Sequence, residues 1–226
     1  TSAGFSICDR SGKSMNREST ASRGEIAAVV LTGAGHLVLT TWLGKQMVFT
    51  ISAILFWICF VGVRVHRDPT VLRRWGFTRE GFWQSVRMLL PFGVAAGLAM
   101  AGYGLLAGTW IFTWRIFLLL VLYPPWGLVQ QFLVVGLLAG NLRKDGRLPE
   151  WGIILVVSLL FAAIHLPSIP LVIVAGLMAA VTTPVYFRTG NLYALGLLHG
   201  WIGSIAYFFV LGSDPLADLV RGGIWP

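Results

Sequence analysis

The 226-residue sequence predicts an all-α fold: a polytopic transmembrane helix bundle of about seven spans, plus an interfacial amphipathic helix. Composition and charge placement predict it. Hydrophobic residues make up 56% of the chain and charged residues only 12%, against roughly 45–50% and about 25% in soluble domains. Several apolar runs exceed the roughly 18 residues that mark a membrane-spanning helix. The formal charge of +8 is concentrated between those runs, which reads as a topology signal and not as a nucleic-acid surface.

The expected spans are 26–44, 47–65, 88–108, 116–141, 151–166, 171–187 and 192–212. The fifth and sixth are joined by "PSIP" and suit a tight hairpin that does not cross fully on both sides. Between the second and third lies "HRDPTVLRRWGFTREGFWQSVR", in which arginines alternate with Trp75, Phe77, Phe82 and Trp83. That mixture suits a helix lying at headgroup depth, with cations toward anionic lipid. Residues 1–22 are polar and lack the apolar core of a cleavable signal peptide, so a disordered tail is expected there. The remaining organisation is an N-terminal membrane region over 23–115, a core over 116–212 and a tail over 213–226.

Lys and Arg set the expected orientation. With the N-terminus in the cytoplasm, 14 of the 17 fall on the inside and only Lys45, Arg115 and Arg221 on the outside. Such a bias follows the positive-inside rule and requires an odd number of crossings. The cysteines Cys8 and Cys59 lie in a polar tail and an apolar run, without metal-ligand spacing.

Polar groups inside lipid are costly and often functional. The candidates are His36, the adjacent Gln130 and Gln131, His165 and His199. All nine acidic residues are expected outside the spans. His36, among small residues, suits a helix-packing role. Counted at 1.5 Å per residue from Asn141, the two glutamines lie ~15–17 Å into the membrane. His199 lies ~10 Å and His165 ~20 Å from the same face, so these four can converge.

The stretches "VQQFLVVGLLAGNLRKDG", "LLFAAIHLP" and "YFRTGNLYALGLLHGWIGS" resemble the three signature segments of the CAAX protease and bacteriocin-processing family of intramembrane endopeptidases. The resemblance covers about Leu118 to Phe209. It implies that Gln130 and Gln131 stand where the family has paired glutamates, and Val135 where it has arginine. The second motif, Phe161 with His165, is intact. In the third, His199 is kept but Gly203 stands where the family has asparagine. The resemblance thus implies a degenerate catalytic site, because an amide cannot act as general base near neutral pH. A buried cation without its anion is also costly, which accounts for valine at 135.

Three functions remain open at this level. One is a non-catalytic scaffold or complex subunit that binds transmembrane helices or lipidated peptides. Another is an active endopeptidase acting on a prenylated or transmembrane peptide. The third is a tetrapyrrole or metal site ligated by His165 or His199. Enzyme status is therefore left uncertain. No cofactor and no metal is expected under the first two readings. The expected partners are membrane helices or lipidated peptides and anionic lipids of the cytoplasmic leaflet, and the expected setting is a bacterial inner membrane.

Overall fold

The structure is a computed structural model and describes residues 8–220. It contains α1 (Cys8–His36), α2 (Gln46–Arg67), α3 (Val71–Trp75), α4 (Phe82–Ala107), α5 (Arg115–Leu122) and α6 (Pro124–Gln131). After these come α7 (Gly140–Asp145), α8 (Glu150–Ala163), α9 (Ile169–Thr189), α10 (Leu192–Ile205) and α11 (Pro215–Val220). Wider π-helical turns extend α1 (Leu37–Trp42), join α6 to α7 (Phe132–Ala139) and extend α10 (Ala206–Val210). No strand occurs among the described residues. The chain is an all-helical bundle, as the sequence predicts.

Six helical stretches are long and apolar enough to cross a membrane: Ser22–Trp42, Gln46–Arg67, Phe82–Ala107, Arg115–Asp145, Ile169–Thr189 and Leu192–Val210. The fifth expected span corresponds to α8, which has only 14 residues. It packs along α9 as a hairpin. The turn between them satisfies its own backbone: His165 N–H bonds to Ala162 O at 3.0 Å and Ser168 N–H to His165 O at 3.1 Å.

The last span is the centre of the bundle. Two-thirds of it (67%) is buried inside the protein, against none of the α2 span. In lipid there is little hydrophobic drive between helices, so close packing of small residues takes over. Gly196 and Gly200 stand four apart on α10, on a face applied to α6. A Cβ at Gly196 would lie 2.6 Å from Leu128 Cα, and one at Gly127 would lie 2.7 Å from Gly196 O. At these positions the two backbones touch.

Three features depart from the sequence reading. The segment expected to lie flat at the interface is instead the short α3 with a turn at either end, and Val71 and Trp75 are buried in the core. Trp75 packs on Phe132 at 5.1 Å between ring centroids, so only part of the aromatic set is left for the interface. The expected tail is helical from Cys8 onward, continuous with the first span. Residues 1–7 lie outside the described residues.

The third departure concerns the acids. Glu25 lies within the first span and is only 3% exposed. Its carboxylate accepts from Arg64 at 2.5 Å, Asn141 at 2.7 Å and Trp75 at 3.3 Å. A buried carboxylate is tolerable when paired and hydrogen-bonded, and this one joins α1, α2, α3 and α7. Asp214 is also buried and is paired with Arg115 at 2.5 Å. The sequence places Glu25 one residue outside the first apolar run, where it reads as a solvated flank.

Candidate functional site

The close contact of α6 and α10 carries His199 to the end of α6, where Gln131 is the last residue. Both are buried, at 4% and 1% exposure, and Gln131 Nε2 lies 3.2 Å from His199 Nδ1. An amide nitrogen can only donate, so Nδ1 accepts and neutral His199 carries its proton on Nε2. The π-helical turn begins at the next residue, Phe132. Single widened turns of this kind are frequent at functional sites.

The α8–α9 hairpin supplies the other wall. Phe161 is buried and meets His199 edge-on at 5.6 Å and His165 edge-on at 4.9 Å. Its ring thus links the two imidazoles. His165 Nδ1 lies 2.7 Å from the Phe161 carbonyl oxygen. A carbonyl only accepts, so Nδ1 carries the proton and Nε2 keeps a lone pair. The structure thus gives each histidine an orienting partner, and with opposite tautomers.

Gln131 therefore faces His199, while Gln130, one residue away and rotated by about 100°, is half-buried beside it. The side-chain oxygens of both glutamines are buried with no hydrogen-bond partner. Val135 is wholly buried among apolar neighbours. At Gly203 an added Cβ would lie 2.5 Å from Cε1 of Tyr123. The tyrosine ring fills the space into which a longer side chain at 203 would project.

His36 packs its ring on Phe49 at 5.3 Å and its Nδ1 lies 3.2 Å from Thr40 Oγ1, which fits a packing role. Glu25 does not reach the cluster. Its partner Asn141 is ten residues beyond Gln131 along the same membrane span, a rise of ~15 Å. Among the described residues no three His, Cys, Asp or Glu come together as a metal-binding group.

Sequence reasoning missed Tyr123, which faces Gly203, and Asn191, which anchors the start of α10. The Asn191 side chain accepts from Ala194 N–H at 3.0 Å and donates to the Thr78 and Glu80 carbonyls at 2.5 and 2.9 Å. The Gly-x-x-x-Gly spacing at 196 and 200 was the available signal for the helix contact. Nothing local marks Tyr123, whose partner lies 80 residues away.

Residues 109–205 match the family model described as type II CAAX prenyl endopeptidase, Rce1-like. No curated protein and no solved structure gives a significant match. The matched residues run from the turn before α5 into α10 and include every position of the cluster from Gln130 to Gly203. The chain thus has six helices long and apolar enough to cross a membrane, and over residues 109–205 it is similar to the type II CAAX prenyl endopeptidases.

Proposed function

We propose that this protein is a catalytically degenerate member of the CAAX-protease-like family and acts as a membrane scaffold or complex subunit that holds a transmembrane helix or a lipidated peptide. The observation that carries this reading is the Gln131–His199 hydrogen bond. A carboxylate at 131 could itself take a proton from water. The amide that stands there, paired with His199, cannot act as a base near neutral pH. Val135 and the Tyr123 ring occupy the places where the family's cation and amide are expected. The unpartnered oxygens of Gln130 and Gln131 still call for donors, and backbone N–H groups of a bound extended peptide would provide them.

One observation favours the alternative of an active endopeptidase. His165 Nε2 has a free lone pair and His199 Nε2 a free proton, the pair that water activation and oxyanion support would need. A farnesylated peptide with a CAAX-type end, added to the full-length protein in nanodiscs, separates the readings. The scaffold reading expects saturable binding, weakened in Gln130→Leu, with the peptide recovered intact by mass spectrometry. Cleavage that disappears in His165→Ala would overturn it in favour of the endopeptidase.

We also propose a cytoplasmic N-terminus and a bacterial inner-membrane setting. The charge asymmetry of the loops supports the first. The family resemblance, which extends to bacteriocin-processing enzymes, supports the second.

A further inference from the structure

Where α3 turns into α4, beside the start of α10, there is a groove of about 610 Å³ lined by Phe77, Thr78, Arg79, Phe82, Trp83 and Tyr193. Its volume falls within the roughly 300–1,000 Å³ of small-molecule sites. Two membrane spans, Phe82–Ala107 and Leu192–Val210, begin at its edge, so it opens at the level of the membrane surface. We propose that it is a binding site for the phosphate headgroup of an anionic phospholipid.

The charges around it are unequal. Arg73 is paired with Glu80 at 2.7 Å and Arg74 is paired with Asp68. The Thr70 hydroxyl, its N–H and Arg74 hold the Asp68 carboxyl below the usual carboxylate range, so that charge is already matched. Arg79, the cation that lines the groove, is exposed and has no carboxylate partner among the described residues. An arginine left uncompensated at a membrane surface suits a phosphate, to which its guanidinium can donate two bonds at once.

The walls are aromatic and suit a lipid better than a soluble anion. Trp83 is 71% and Tyr193 41% exposed, and indole and phenol rings favour headgroup depth. Phe77 meets Tyr193 edge-on at 6.0 Å and Phe82 meets Trp83 edge-on at 5.3 Å, giving acyl chains an apolar surface below the phosphate. The groove is also preformed. Asn191 ties the Thr78 and Glu80 carbonyls to the start of α10. Leu192 N–H bonds to Gly76 O at 3.0 Å, and Ser85 Oγ to Thr189 Oγ1 at 2.8 Å. Arg79 thus projects from a fixed loop, and little ordering is lost on binding.

The test is native mass spectrometry of the full-length, delipidated protein titrated with phosphatidylglycerol or phosphatidylcholine. One matched surface cation corresponds to a preference of about fivefold. The wild type should prefer phosphatidylglycerol by about that factor, and Arg79→Gln should bring the two lipids to parity. Arg79→Lys should keep most of the preference, and Arg73→Gln, whose cation is already paired, should leave it unchanged. Equal binding of the two lipids by the wild type, or an undiminished preference in Arg79→Gln, would overturn the proposal. So would displacement of the lipid by millimolar inorganic phosphate, which would make the ligand a soluble anion.

Discussion

No side chain can be added at position 203 without disturbing Tyr123, the residue before α6. Consider Gly203→Ala, the smallest change that adds a Cβ. The new atom would lie 2.5 Å from Tyr123 Cε1 and 3.1 Å from Cδ1, where carbon atoms are at ease only near 3.5–4.0 Å. The ring must therefore retreat by ~1 Å or more. Its movement is restricted by Tyr207, whose ring it meets edge-on at 5.8 Å. Overpacking of this kind costs about 1–3 kcal/mol. For a chain of this size that is a fall of about 2–12 °C in midpoint. Thermal unfolding in mild detergent, followed by intrinsic fluorescence, measures it. Truncating the ring should release the clash, so Gly203→Ala should cost much less in a Tyr123→Ala background. The coupling in the double-mutant cycle should be about 1 kcal/mol or more. A wild-type midpoint in Gly203→Ala, or strict additivity of the two changes, would refute the reasoning. The functional corollary is that Gly203→Asn, combined with Gln130→Glu, Gln131→Glu and Val135→Arg, should not yield a peptidase while Tyr123 remains.

Two further outcomes are expected. Glu25→Ala strands the Arg64 guanidinium and the Asn141 amide at the junction of α1, α2 and α7, and should destabilise the protein by about 3 kcal/mol. Glu25→Gln keeps an acceptor for Asn141 and should lose less, so equal melting of the two variants would count against the charge pair. For topology, single cysteines at Asp145 and Ser213 should be labelled by a membrane-impermeant thiol reagent from opposite sides. Labelling of both from one side would end the proposed orientation.

The spans were legible because a lipid-facing helix must be apolar along its whole length, and that is a property of composition. The polar cluster was legible for a related reason: Gln130, Gln131, His165 and His199 stand out against an apolar background. What could not be read locally is pairing. Glu25 looks like a solvated flank until Asn141, 116 residues later, closes on it. Trp75 looks like an interfacial ring until Phe132 covers it. Tautomers were hidden for the same reason, since the partner of each imidazole is a separate fact of packing. The Phe161 carbonyl that orients His165 is one helical turn away, yet it is available only because α8 ends there.

That early ending of α8 bears on the bilayer itself. Fourteen residues at 1.5 Å each span ~21 Å, against a hydrocarbon thickness of ~30 Å. Helices too short for the membrane are matched by local thinning, which costs a fraction of a kcal/mol per Å. If α8 were to face lipid across its length, the ~9 Å shortfall would put an elastic load on the surrounding bilayer. A dimple over His165 would bring headgroups and water nearer to the imidazoles than a flat bilayer allows. Thin, short-chain membranes would relieve that load and thick, ordered ones would increase it. Acyl-chain length would thus become a variable acting on this site without touching any residue in it.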